Sequence, residues 1–121
     1  MTQYYYDTKD MEKAEAGRNY STAVGTWVEG ERIIFGDICI PAGTKAEPHS
    51  HPNEQFIIVL QGRVRYDIEG DVKVVEKGEI VHIPPNIVHS AEVIGDEDFL
   101  FITAKDTSWG IHGNPANSDT V

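Results

Sequence analysis

Three histidines and a glutamine hold the chemistry legible in this chain. In G-T-K-A-E-P-H-S-H-P-N-E-Q-F-I-I-V-L-Q-G, residues 43–62, His49 and His51 stand two apart. Side chains two apart on an extended strand project to one side, so both imidazoles can take neighbouring positions on one ion while Ser50 faces away. Gln55 opens the apolar run that follows, where a chain turned back at Pro52-Asn53 could return a side-chain oxygen to the same centre. A third imidazole can come from His89, which follows the rigid Pro84-Pro85 pair in G-E-I-V-H-I-P-P-N-I-V-H. Neutral imidazole is a common ligand of zinc, iron, nickel and copper. Three of them with one amide oxygen suffice for a site that keeps one or two positions open. Taken alone, H-S-H reads more simply as a polar loop than as a ligand pair.

Ligands so spaced need a rigid frame, and from Ser21 onward the chain offers strands. Apolar and β-branched runs occupy 32–40, 55–60, 63–68, 72–75, 79–83 and 98–104. Between them stand Pro41-Ala42-Gly43, Gln61-Gly62, Glu69-Gly70-Asp71, Lys77-Gly78 and Pro84-Pro85-Asn86, the turn chemistry of a sandwich or closed barrel. The expected organisation is an N-terminal extension, 1–20, a barrel, 21–105, and a C-terminal tail, 106–121, whose last residues are expected to be mobile. Within the extension, M-E-K-A-E-A-G-R-N predicts one short helix ending near Gly17.

The segment from Gly43 to Val93 closely resembles the two motifs of the cupin superfamily. The first family motif asks for Gly, five residues, H-x-H, three or four residues, Glu, six residues and Gly. This chain supplies Gly43, His49, His51, Gln55 in the Glu position, and Gly62. The second asks for Gly, five residues, P-x-G, two residues, His, three residues and Asn. Here it reads Gly78, Pro84, Asn86 in place of Gly, His89, and Val93 in place of Asn. Asn tolerates left-handed backbone nearly as Gly does, so that exchange keeps the turn. The resemblance implies an all-β jelly-roll barrel, a single domain of two antiparallel sheets, with one divalent transition metal ion (zinc, nickel, iron or manganese) held inside by His49, His51, Gln55 and His89. It also implies a homodimer.

Glutamine where the family has glutamate bears on mechanism. Three neutral imidazoles and a neutral amide leave a divalent ion its full charge, which favours Lewis acidity over redox chemistry and attracts enolates, carboxylates and keto acids. The stretch H-S-H-P-N-E-Q is also similar to that of small cupins that keep Gln as a ligand, among them those that ketonise unsaturated uronates and aromatic polyketide cyclases. The leading expectation is a metal-dependent isomerase, cyclase or lyase working through an enolate on a small oxygenated acid or ketone. A cupin dioxygenase using iron or nickel, and a non-catalytic small-molecule-binding cupin, are the alternatives.

Two further residues are candidates for moving protons. Tyr66, in R-V-R-Y-D-I, shares a face with Val64 and Ile68 and is either a core tyrosine or a pocket phenol. His82, on strand 79–83, either faces the barrel, beside or among the ligands, or is hydrogen-bonded at the strand surface. His112 reads as a surface group, Arg63 and Arg65 as solvated surface or an interface, and Glu54 points away from Gln55 and makes a poor general base. Which of Asp37/Cys39 and Ile38/Ile40 looks inward is left open. Trp27, Trp109 and Tyr4 to Tyr6 read as core or dimer packing.

Composition narrows the partners. Ten Lys and Arg against 20 Asp and Glu, without a basic cluster, make nucleic acid a poor candidate. No apolar run approaches bilayer length, the N-terminus does not read as a secretory signal, and one cysteine, Cys39, agrees with a reducing compartment. A cytoplasmic location, no membrane association, and a small anionic or carbonyl-bearing substrate are the expectations.

Overall fold

The computed structural model of the chain describes residues 3–116. Its strands are built on the alternation that marks a sheet with one buried face. β1 is Ala14–Glu15, β2 Val24–Glu29, β3 Ile33–Ile40, β4 Lys45–Ser50, β5 Gln55–Gln61 and β6 Arg63–Ile68. β7 is Asp71–Glu76, β8 Ile80–Ile83, β9 His89–Ile94, β10 Phe99–Asp106 and β11 Asn114–Pro115. All pairings are antiparallel, giving a six-stranded sheet in the order β1-β2-β3-β10-β5-β8 and a five-stranded sheet in the order β11-β4-β9-β6-β7. From β3 onward every connection except β6–β7 crosses from one sheet to the other, which makes the two sheets a jelly-roll.

Each apolar run read from the sequence lies mainly or wholly within a strand. β2, β4 and β9 carry no such run: V-G-T-W-V-E, K-A-E-P-H-S and H-S-A-E-V-I are strands by pairing with their neighbours, and β4 and β9 turn small or polar side chains inward. The short helix expected over residues 11–19 is not formed. Ala14–Glu15 pairs with Gly25 and Val24 instead, Ala16 N–H donates to the Ala23 carbonyl at 3.0 Å, and the only helical turn among the described residues is the 3-10 turn Thr8–Asp10. A segment this short gains little from helix propensity alone, whereas the open edge of β2 offers backbone hydrogen bonds. The expected mobility of the last tail residues lies outside the described residues.

Inward residues change character along the barrel. On β10 they run Phe99, Phe101, Thr103, Lys105; on β5, Val59, Ile57, Gln55; on β9, Val93, Ala91, His89. Register aligns these series, with Lys105 opposite Gln55, and Ile68, Tyr66 and Val64 of β6 opposite His89, Ala91 and Val93. One end of the barrel is therefore an apolar plug around Phe99, and the other is polar. Ile38 and Ile40 face inward, which resolves the choice on β3: Asp37 is exposed and Cys39 partly exposed. Among the described residues no helix is long and apolar enough to cross a membrane.

Candidate metal centre

The polar end gathers His49, His51 and His89, whose candidate ligand atoms all lie within 4.8 Å of one another. His49 and His89 are direct cross-strand partners on β4 and β9, with ring centroids 4.2 Å apart. His51 stands just past the end of β4, where Pro52-Asn53 turns the chain toward the other sheet, and Gln55 is the first residue of β5. The reversal that brings Gln55 to the histidines is thus the crossing between the two sheets. Asn86 secures it from the far side: at φ +66° it takes the left-handed backbone expected of it, and its N–H donates to the His51 carbonyl at 2.8 Å.

Each imidazole is oriented by a carbonyl. Nδ1 of His49 lies 2.7 Å from the Glu47 oxygen, Nδ1 of His51 2.9 Å from that of Asn53, and Nδ1 of His89 2.9 Å from that of Ile87. A carbonyl can only accept, so Nδ1 carries the proton and Nε2 keeps a free lone pair, the tautomer a metal requires. Burial opposes protonation. It holds the pKa of His49 down at about 3, with help from the neighbouring His89, and that of His89 at about 4; His51 is lowered by burial and then by the charge of Lys105.

The fit to a cation is sharpest at Gln55. Its Nε2 donates to Thr103 Oγ1 at 2.9 Å, and Thr103 donates onward to the Phe56 carbonyl at 2.9 Å, so the amide oxygen is the end turned to the histidines. That oxygen lies 3.0 Å from His51 Nε2. His51 therefore meets an acceptor at each ring nitrogen, with one proton for the two when neutral. A positive ion near Nε2 and Oε1 satisfies both lone pairs.

Around this cluster lies a cavity of about 50 Å³, lined by His49, Gln55, His89, Tyr20, Tyr66, Trp27 and Lys105 together with apolar side chains. That is room for roughly four waters or a small ligand. Tyr20 stacks on His49 at 4.0 Å between centroids, and its hydroxyl accepts from Gly113 N–H at 2.6 Å. The tail reaches the same cavity through Ile111, which lines it, and is held in place by Asn53, wholly buried, which donates from Nδ2 toward the carbonyls of Asp106, Trp109 and Gly110.

Tyr66 takes both of its expected characters, buried beside Phe99 and lining the cavity, and burial raises its phenol pKa. His82 is placed elsewhere. It sits on the outer face of β8, stacked on Phe56, with Nε2 2.6 Å from Glu54 Oε2, so the barrel-facing alternative does not hold. An alternating strand with Val81 and Ile83 inward must put residue 82 outside. Glu54 points away from the cavity as expected, Arg63 and Arg65 are exposed, and His112 accepts from Gly17 N–H at the surface. The sequence reading missed Lys105. Counting in twos along β10 from Phe99 and Phe101 would have found it on the inner face.

The Cupin domain profile matches residues 36–105, more than half of the 121, and the chain belongs to the cupin family. Its fold is similar to that of the polyketide cyclase RemF from Streptomyces resistomycificus, with a TM-score of 0.78 and 14% identity over 96% of this chain and 87% of that one. It is likewise similar to an RmlC-like cupin from Shewanella frigidimarina, with a TM-score of 0.74 and 18% identity over 99% and 97%. KdgF from Halomonas gives a TM-score of 0.72 and 18% identity over 99% and 100%. At these identities the likeness is one of fold. In sequence, the uncharacterized protein MJ1618 of Methanocaldococcus jannaschii is 29% identical over 69 residues, which are 56% of this chain and 55% of that protein. The match thus spans about half the length of that relative.

Proposed function

We propose that this cupin is a metal-dependent enzyme of isomerase, cyclase or lyase type, with His49, His51, Gln55 and His89 as the ligands of one divalent transition metal ion. The observation that carries this is the donor set: three buried neutral imidazoles and an amide oxygen held toward them by Thr103. Bound there, the ion supplies undiminished positive charge to a carbonyl or enolate oxygen. Among the described residues no carboxylate lines the cavity to offset that charge. RemF, a polyketide cyclase of the same fold, supports the cyclase arm of this reading.

The chain's own residues complete the reading. Tyr66 keeps its proton at neutral pH, because burial penalises the phenolate, and so serves as a hydrogen-bond donor at the cavity wall. Tyr20 and Ile111 add their side chains to the wall of the same cavity. A homodimer belongs to the same proposal: Phe35, Phe56, Ile58 and Ile80 are exposed on the outer face of the six-stranded sheet, which a solvated antiparallel sheet would fill with polar groups.

The test is exchange of the protons α to the carbonyl of small 2-oxo acids and β-diketones in deuterated water, followed by NMR alongside an oxygen electrode. Metal-dependent exchange without oxygen uptake supports the proposal. Turnover that consumes oxygen would replace it with the dioxygenase reading, and tight binding with no reaction would favour the non-catalytic one.

A further inference from the structure

A lysine is rarely buried without a partner for its charge, since removing an ammonium from water is costly. Lys105 is 5% exposed and reaches into the polar end of the barrel. Its Nζ donates one hydrogen bond among the described residues, to the Ile111 carbonyl at 3.0 Å, and sits 5.6 Å from the centroid of the Trp27 ring. An ammonium has three donors, so donor capacity is left over. Among the described residues no carboxylate lies within 4.0 Å of it, and none lines the cavity it shares with His49, Gln55 and His89. The Trp27 indole N–H is also buried without an acceptor there. The Lys105–Trp27 side of the cavity, across from the histidine lone pairs, therefore holds unmet donors and a positive charge, and what it lacks is an anionic oxygen.

We infer that Lys105 is the carboxylate-reading end of the substrate cavity, and that the substrate is a small oxo acid whose carboxylate meets the Lys105 ammonium while its carbonyl end faces His49, His51 and His89. This rests on the proposal above that an ion held by those histidines is open to ligands. The placement follows from register, since Lys105 pairs across the sheet with Gln55 and one short molecule can reach both. Lys105 then sets specificity, by favouring an acid over the corresponding ester or ketone.

The experiment is calorimetric titration of the zinc-loaded full chain with pyruvate and with its neutral ester, methyl pyruvate, in the wild type, Lys105→Met and Lys105→Gln. Met keeps the unbranched stem against Trp27, and Gln keeps a donor for Ile111 without the charge. Zinc content is measured in every sample. The expected result is a loss of about tenfold or more in pyruvate affinity in both variants, with the ester and the zinc content unchanged. Lysine-labelled wild type should also show a side-chain nitrogen shift at Lys105 with pyruvate and none with the ester, a readout that needs no variant. Unchanged pyruvate affinity in the variants, equal loss of acid and ester, or no shift at Lys105 overturns this inference and leaves the open ion standing. Failure of both probes to bind the wild type removes the open-ion reading, and this inference with it, whereas binding of the ester without the acid overturns this inference alone.

Discussion

His51 Nε2 and Gln55 Oε1 face each other at 3.0 Å with a lone pair on each, because the ring proton is given to the Asn53 carbonyl and the Gln55 amide nitrogen is turned to donate to Thr103. Such a contact is unfavourable unless a cation shares it. Thr103 fixes the choice, so Thr103→Val should free the Gln55 amide to rotate and donate to His51 instead. The expected cost is about 10- to 100-fold in metal affinity, the range for groups that orient a ligand. Competition against a fluorescent chelator measures it, and an unchanged affinity would show that Thr103 does not set the amide.

Gln55→Glu separates affinity from chemistry. An anionic oxygen binds a divalent ion at least as well as a neutral one, but lowers the charge left to act on substrate. Metal content should hold or rise while non-oxidative turnover falls. Equal or faster turnover in this variant would mean that site charge is not what drives the reaction.

Removing the metal should leave the fold. The plug around Phe99, Val59 and Val64 lies away from the cavity and does not depend on the ion. Chelation should lower the melting temperature, since a ligand at a thousandfold excess over its Kd contributes about 4 kcal/mol, yet keep the strand signal in circular dichroism. Loss of that signal would make the ion structural.

The metal-free chain should weaken in mild acid. His49 and His89 are held near pKa 3 and 4 when folded, whereas unfolded histidine titrates at about 6.5. Between those limits the unfolded chain binds more protons, so stability rises with pH and is lost as pH falls below about 6.5. Lys105, held at about 8 against 10.5 unfolded, carries the same sign at the alkaline end, so stability should rise again from about pH 8 toward 10.5. Melting temperature across pH, with and without His49→Leu, tests the acid limb: the slope below pH 6.5 should flatten in the variant.

How far the sequence foretold the site follows from how each residue is placed. His49, His51, Gln55 and His89 were legible because strand alternation, a proline turn and motif spacing are local signals. Asn86 was legible for the same reason, since its left-handed turn is a property of one residue. Ala14–Glu15 was misread as helix because its structure comes from the edge of β2, a partner that composition does not reveal. β4 and β9 lack an apolar run because the part of each inner face that lines the cavity carries Ala and His, Ala46 and His49 on β4 and Ala91 and His89 on β9. Lys105 escaped notice because charge suggested surface, while the inner face of β10 is set by Phe99 and Phe101 further along the strand.

The central claim is that His49, His51, Gln55 and His89 hold one metal ion, and the most direct test is the metal content of purified chain after reconstitution and desalting. One equivalent per chain is expected in the wild type. Ala at His49, His51 or His89 should largely empty the site, while Gln55→Ala should retain much of the metal, because an amide oxygen is the weaker donor. A wild type that retains no metal, or histidine variants that retain as much as the wild type, would contradict the account.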